Sequence, residues 1–251
     1  MREHRIDRER GDMDISQIAI TPEISTELLY LTKTDRVCAV LREAIITAWL
    51  KPGDHIRQQD IADQLNLSPT PVREALQKLQ ALGILLHTPH HGAQVPVPNR
   101  QTISEIFLVR AYLEGIAIVD SIDRIDHDTL EKLEYLAKNE MPQNLDEGFQ
   151  INDFTPYRKA NYEFHKLIYT SSSMEVIPEL IDNLWARSVV PDKLYQFDCL
   201  RIKNASEEHG RIVKAIEAKD VERARKTLEE HVNLTRSCYL RFLDRSFEEP
   251  F

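Results

Sequence analysis

The sequence of 251 residues predicts a mainly α-helical protein in two parts, a small helical domain that ends in a β-hairpin and a larger antiparallel helical bundle. Three observations lead to this prediction. Apolar residues recur at helical spacing over most of the chain. Strand-like runs occur at one place, on either side of a turn at residues 89–92. Hydrophobic residues make up 42% of the chain, which is enough for a buried core.

Composition and charge exclude several classes of protein. No apolar run reaches the roughly 18–20 residues that span a bilayer, and the first residues lead into no apolar segment typical of a secretory signal. Cys38, Cys199 and Cys238 are too few and too scattered for a disulfide framework or a cysteine-only zinc site, so we expect a reduced, cytoplasmic compartment. The net charge is −9, but residues 33–98 carry seven Lys/Arg against six Asp/Glu. This distribution argues against indiscriminate, charge-driven binding and still allows a local nucleic-acid site.

The first domain is predicted to begin with two helices. Residues 1–32 show little hydrophobic periodicity and are predicted to form a mobile arm. A helix follows, with Thr34 as its predicted N-cap and an apolar face from Val37 to Ala48. The turn signal Lys51-Pro52-Gly53-Asp54 must end it. A short second helix then carries three apolar residues on one face between residues 61 and 65.

The third helix is predicted to start at Ser68 and to end at Gly83. Its opening, Ser68-Pro69-Thr70-Pro71, suits a helix start, because prolines in the first turn lose only amides that have no partner within the helix. Ser68 can cap the remaining amides. Residues 84–87 and 93–97 are predicted to be two short strands around the turn at 89–92. This order of elements is the outline of a winged helix-turn-helix domain, whose third helix enters the DNA major groove.

Beyond residue 98 the strand pattern disappears, which predicts an all-α second domain. We therefore divide the chain into an arm (1–32), a winged helix-turn-helix domain (33–98) and an antiparallel α-helical bundle (99–251), joined near residues 96–101. Residues 139–156 are predicted to form a loop. The bundle helices are predicted at residues 101–121, 127–140, 156–170, 174–190, 204–218 and 220–246.

Two groups of residues carry the motifs of a known family. The first group is the run from Ser68 to Leu76 (Ser-Pro-Thr-Pro-Val-Arg-Glu-Ala-Leu), together with Leu50-Lys51-Pro52-Gly53-Asp54, and it resembles the DNA-binding domain of GntR-type bacterial transcription regulators. The second group includes Arg110, Phe164-His165 and the stretch from Asp220 to His231, and it resembles the FCD domain of the FadR branch. The resemblance implies a homodimer that binds a palindromic operator, acts as a repressor and responds to a small carboxylate effector.

The resemblance also implies which residues meet DNA. They are Ser68, Thr70, Arg73 and Lys78 in the third helix and His90, His91 and Gly92 in the wing. Pro69 and His91 depart from the family, which commonly has arginine at both positions. An arginine fork reads guanine at about 1–3 kcal/mol per contact, so we expect the same docking geometry on a different operator. His90 and His91 become cationic below about pH 6.5.

Many FCD domains hold a divalent metal through one Asp and three His. The resemblance assigns these positions to Asn161, His165, His209 and His231. Asn161 and His165 are four residues apart, which places both side chains on one helix face, as a chelate requires. Imidazoles suit a transition metal such as Zn or Ni. Asn161 offers only a neutral carbonyl oxygen in place of the usual carboxylate, so we expect a weakened metal site.

Three alternatives stay open at this level. Arg110 and Arg187 are predicted to bind the anionic effector, but either can instead form a structural ion pair with a neighbour such as Glu114. The three histidines can belong to a metal-dependent hydrolase, although the chain has no Gly-x-Ser-x-Gly nucleophile motif and we predict no enzyme. The two missing arginines leave open a DNA-silent, protein-binding member of the family, for which Arg73→Ala changes nothing.

Overall fold

A computed structural model of the chain describes residues 31–88, 92–139, 154–189 and 199–246. Within these ranges it contains nine helices and one three-stranded sheet, and it confirms the predicted fold class. The helices are α1 (Lys33–Ile46), α2 (Gln58–Gln64), α3 (Pro69–Ala81), α4 (Arg100–Ser121), α5 (His127–Asn139), α6 (Thr155–Thr170), α7 (Val176–Arg187), α8 (Cys199–Glu217) and α9 (Val221–Ser246). The strands are β1 (His55–Ile56), β2 (Leu86–Thr88) and β3 (Gly92–Gln94). The predicted arm lies outside the described residues, except for its last two.

Helix α1 starts one position earlier than its predicted cap. Thr32 has extended backbone angles, and its hydroxyl oxygen accepts a hydrogen bond from the Asp35 amide over 3.1 Å. Thr32 is therefore the N-cap, and the prediction of Thr34 was wrong. The Thr34 hydroxyl instead donates to the Glu74 carboxylate of α3 over 2.8 Å. This bond links the start of α1 to α3, the helix predicted to enter the DNA major groove and called the recognition helix below.

Helix α3 begins as predicted, with one difference at its cap. Pro69 is the first helical residue, and Ser68 has the extended backbone of an N-cap. The Ser68 side chain makes no capping hydrogen bond, so this end relies on the prolines and not on the serine hydroxyl. Gly83 ends the helix with φ +66°, a left-handed conformation that glycine adopts without strain.

The wing is a three-stranded antiparallel sheet in the order β1-β3-β2. The predicted hairpin corresponds to β2 and β3, which pair Leu86 with Gln94 and Thr88 with Gly92. Strand β1 was not predicted, and it pairs with β3 through Ile56 and Ala93. Residues 84 and 85, predicted to be strand, instead lie buried just after α3, where both amides donate to the Leu79 carbonyl.

In the bundle, α4 is the central helix and packs against α6, α7 and α9. Helix α8 packs against α5 and α9. Helix α7 is shorter than predicted, and α8 begins at residue 199 and not at 204. The predicted loop 139–156 lies largely outside the described residues. In the part of the chain that the structure describes, no helix is long and apolar enough to cross a membrane.

The two domains share one hydrophobic core at their joint. A single cluster of buried residues contains most of the apolar side chains of residues 37–95 together with seven from the bundle. The seven bundle members are Ala117, Tyr162, Tyr169, Ile181, Trp185, Ala186 and Val189. The core therefore connects α1 directly to α6, which carries His165, and to α7.

Candidate functional site

The recognition helix α3 is open to solvent on one face. Its apolar face, from Val72 to Leu79, is buried against α1 and α2. The opposite face exposes all four helix residues that were predicted to meet DNA and adds Gln77, which the sequence motifs did not single out. The exposed residues include Ser68, Thr70, Arg73, Gln77 and Lys78, with Pro69 and Glu74 beside them. This surface has the shape of a helix that can enter a DNA groove.

Arg73 and Lys78, the two basic residues of α3 that were predicted to meet DNA, differ in their contacts within the protein. Arg73 is exposed and makes no hydrogen bond or ion pair within the described ranges. Lys78 is bound to Asp35 across 2.9 Å, and this carboxylate has a lowered pKa because it also accepts a hydrogen bond from Thr32. Arg73 can therefore meet DNA without breaking a contact within the protein, whereas Lys78 must share or release Asp35.

The wing is only partly described. His90 and His91 lie outside the described residues. Gly92 has φ +83°, and a Cβ atom at this position would lie 2.5 Å from the backbone oxygen of Ile56. The glycine is thus required by the close approach of β1 and β3, a requirement that holds whether or not the wing touches DNA.

The three predicted histidines meet in the bundle interior. His165 comes from α6, His209 from α8 and His231 from α9, and each is at most 4% exposed. The Nε2 atom of His231 lies 3.2 Å from Nε2 of His165 and 3.1 Å from Nε2 of His209. Phe164 stacks on the His209 ring at 4.0 Å, which helps to fix its orientation. The fold therefore brings together the Nε2 atoms of His165 and His231, which are 66 positions apart in the chain.

Carboxylates hold the opposite nitrogens of two of these rings. Glu114 lies 2.6 Å from Nδ1 of His165, and Glu208 lies 2.7 Å from Nδ1 of His231. Burial tends to raise the pKa of Glu114, but the charges and hydrogen bonds of Arg110 and His165 outweigh it and lower that pKa to about 2. Burial lowers the pKa of His165. A neutral His165 therefore donates its Nδ1 proton to an ionised Glu114.

This tautomer leaves lone pairs on the Nε2 atoms. If His231 likewise donates Nδ1–H to Glu208, two Nε2 lone pairs face each other across 3.2 Å. A shared cation removes this repulsion. Two nitrogens that bind one tetrahedral zinc ion at about 2.0–2.1 Å lie about 3.3 Å apart, close to the 3.2 and 3.1 Å that separate His231 from His165 and His209. Carboxylates on the far nitrogens are the usual support of such ligands. The residues thus fit a divalent transition metal.

A small cavity of about 40 Å³ is lined by two of the three histidines, His165 and His231. Asn161 lines it beside His165 and His231, as the motif spacing predicted. Two buried arginines, Arg110 and Arg158, also line it, and the sequence motifs did not single out Arg158. Since about 10–15 Å³ admits one water molecule, this volume suits a small ligand. Its wall combines cations and hydrogen-bond donors, which is the chemistry of an anion site.

The two arginines predicted to bind an effector lie in different places. Arg110 is 3% exposed, pairs with Glu114 at 2.9 Å and donates to Ser188 over 3.2 Å. It thus forms the structural ion pair that the sequence left open, and it also faces the cavity. Arg187 is not among the cavity-lining residues, because its guanidinium lies against Gly83 at the end of α3. Only the three-dimensional contact between the domains reveals that position.

Two protein families match the chain. The FCD domain family matches residues 105–234, and the family of bacterial regulatory proteins named gntR matches residues 33–95. The HTH-type transcriptional regulator McbR of Escherichia coli K12 is 28% identical over 76% of this chain and 85% of its own length. The probable D-xylose utilization operon transcriptional repressor of Paenarthrobacter nicotinovorans is 30% identical over 72% of this chain and 76% of its own length.

A solved structure agrees with these matches. The structure of E. coli McbR/YncC superposes with a TM-score of 0.71 at 26% identity, and the match covers 84% of this chain and 99% of that one. The families and relatives are transcriptional regulators and not enzymes. The hydrolase alternative is therefore contradicted.

Proposed function

The chain belongs to the GntR family of bacterial transcription regulators, in its FCD-containing branch, and we propose that it acts as a homodimeric repressor that binds a palindromic operator and responds to a small anion. GntR regulators bind DNA, and the observation that supports this role most directly is the open face of α3. Arg73 stands in this face without a partner in the described part of the chain. Ser68 and Thr70, at the helix start, are available for phosphate contacts.

The dimer is supported by an exposed apolar stripe on α4. Leu108, Val109, Tyr112, Ile116 and Val119 lie on one side of this helix and are 38–61% exposed. The stripe runs for about 16 Å along the helix axis, and α7, which packs on α4, exposes further apolar residues. A second copy of the chain is the occupant we propose, because a two-fold axis would let the same stripe cover itself.

The effector site is proposed at the cavity lined by His165 and His231, whose rings stand next to the third histidine, His209. These three imidazoles would hold the metal, and Asn161 would add a neutral oxygen ligand. The metal would supply a positive centre for an anionic oxygen, and Arg110 and Arg158 face the same cavity. A small carboxylate is the class that these donors suit best.

In vitro selection from a random DNA library tests the DNA-binding role. We expect the purified chain to enrich a two-fold symmetric site, and Arg73→Ala to weaken binding to that site by 1–3 kcal/mol, about 5–150-fold, at fixed salt. Arg42→Ala, on α1, is the control and should leave affinity near the wild-type value. Failure to enrich any site would favour the DNA-silent alternative.

Charge inserted into the apolar stripe tests the dimer. Ile116→Glu should convert the dimer to a monomer in analytical ultracentrifugation, because the new carboxylate would be buried against its own symmetry copy. Glu105→Gln, at the solvent-exposed start of the same helix, should remain dimeric. A wild-type chain that sediments as a monomer at micromolar concentration would reject the proposed interface.

A further inference from the structure

We propose that the last turn of α7 and the two residues after it, residues 185–189, couple the cavity to the recognition helix, with Arg187 as the positioning residue on the DNA-binding side. This turn is called the coupling turn below. The inference rests on the proposed function, since it connects the proposed effector site to the proposed DNA-binding helix. It assigns to Arg187 a role different from effector binding.

One side of the coupling turn forms part of the cavity wall. Trp185, Ser188 and Val189 all line the cavity. The Ser188 hydroxyl accepts a hydrogen bond from Arg110 over 3.2 Å, and the Arg110 guanidinium carbon lies 3.6 Å from the centre of a Trp185 ring. A ligand that binds Arg110 would compete directly for these two contacts.

The other side of the coupling turn contacts the DNA-binding domain. Ala186 is buried in the core that α7 shares with α1. The Arg187 guanidinium packs over Gly83, where an added Cβ atom would lie 3.7 Å from its Cζ atom. Gly83 follows Leu82, the C-cap of α3, so the cation stands at the negative end of the recognition helix. This is the position where a positive charge is favourable.

The two sides are linked by the backbone of a single helical turn. Arg187 and Ser188 are consecutive residues, and Ser188 also donates a hydrogen bond to the Trp185 carbonyl, which fastens the end of the helix. A shift of Ser188 toward or away from Arg110 must therefore move the Arg187 backbone with it. Such a shift changes DNA affinity when the ligand prefers one position of the turn over the other.

The metal provides a probe for this coupling, and the DNA probe is the site selected from the random library. We expect zinc to change the dissociation constant of the wild-type protein for this DNA by at least about fivefold. In Arg187→Ala the DNA dissociation constants with and without zinc should become nearly equal, so that their ratio falls toward one. The zinc affinity of this variant, measured by calorimetry, should stay unchanged. Arg223→Ala, an exposed arginine on α9, should keep the wild-type ratio.

The failures of the two proposals are distinguishable. A wild-type protein that enriches no DNA site or binds no zinc contradicts the proposed function. A wild-type protein that binds both, with a zinc effect that Arg187→Ala leaves intact, overturns the coupling. Arg187→Lys should keep only part of the zinc effect, because it retains the charge but loses the planar contact with Gly83.

Hydrogen exchange tests the same link without metal or DNA. Ser188→Ala removes both hydrogen bonds of the hydroxyl, the one from Arg110 and the one to the Trp185 carbonyl, and leaves Arg187 itself unchanged. We expect amides of residues 79–85 to exchange at least about threefold faster in this variant than in the wild type, because the opening free energy of this segment would fall. Unchanged exchange at residues 79–85, with faster exchange confined to α7, would overturn the proposal.

Discussion

Replacing Glu208 with glutamine tests whether the histidine cluster is a metal site, because it changes one hydrogen bond that supports a proposed ligand. This is the bond between Glu208 and Nδ1 of His231. Glu208 lies 2.7 Å from Nδ1 of His231, and both side chains are buried. The glutamine carbonyl can accept the same hydrogen bond, so the substitution removes a negative charge and keeps the His231 ring in place. Glu114 is a less suitable target, because its carboxylate also pairs with Arg110.

The expected loss follows from the kind of hydrogen bond. A hydrogen bond to a charged group contributes about 1.5–3 kcal/mol, and a neutral one about 0.5–1.5 kcal/mol. The substitution therefore weakens the support of the His231 ring by about 1–1.5 kcal/mol. Since about 1.4 kcal/mol is a factor of ten, we expect Glu208→Gln to bind zinc about tenfold more weakly. This value lies at the lower end of the range for carboxylates that support metal-binding histidines.

Calorimetric titration of zinc into metal-free protein, in competition with a chelator of known affinity, measures this loss. Glu207→Gln is the matched control, because Glu207 is the exposed neighbour of Glu208 on the same helix. Thermal unfolding in the absence of metal checks that the variant is folded. A folded Glu208→Gln protein with zinc affinity within twofold of the wild type would refute the proposal that Glu208 supports His231 as a metal ligand by accepting its Nδ1 proton.

Three further predictions concern the cavity, the wing and the recognition helix. Asn161→Asp should raise zinc affinity in the same calorimetric assay, about tenfold if the added charge contributes about 1.4 kcal/mol. Gly92→Ala should lower the free energy of unfolding in urea by about 1–3 kcal/mol or more, because the left-handed backbone is strained and the methyl meets the Ile56 carbonyl. Lys78→Ala should leave the urea unfolding midpoint close to the wild-type value, because the ion pair with Asp35 is exposed to solvent. The same substitution should lower the slope of log affinity for DNA against log salt concentration by about one unit.

Each of these predictions has an outcome that contradicts it. Equal or lower zinc affinity in Asn161→Asp would mean that this side chain does not face the metal. Wild-type urea stability in Gly92→Ala would mean that the wing relaxes away from β1. A salt slope that Lys78→Ala leaves unchanged would remove this lysine from the phosphate contacts and leave the Asp35 pair as its whole role.

The long helices were predictable because each repeats its apolar residues at a period close to 3.6. The same reasoning missed β1, because two residues, His55 and Ile56, are too few to show an alternating pattern. It also extended the first wing strand back to Ile84, because a buried apolar residue after a helix has the same composition as a buried strand. Thr34 and Thr32 are equally good caps by residue type, and only the backbone angles distinguish them.

The candidate site was predictable only through its motif. The three histidines are individually unremarkable in sequence, and the family resemblance alone placed them together. The supporting carboxylates follow from packing, since Glu114 lies 51 residues from His165 in the chain. Arg187 illustrates what a motif cannot supply. Its residue type suggests an anion site, but its position against Gly83 depends on how the two domains pack.

The shared core limits how an effector can act on the DNA-binding domain. Tyr162, Ile181, Trp185 and Val189 are buried in the cluster that includes α1. Detaching the domain would expose apolar surface of this shared core, at about 1.5–3 kcal/mol for each aliphatic side chain that loses its burial. An effector typically supplies a coupling free energy of only about 1–3 kcal/mol. The response must therefore be a small displacement within an intact interface, which is the kind of movement that one helical turn between Arg110 and Gly83 can transmit.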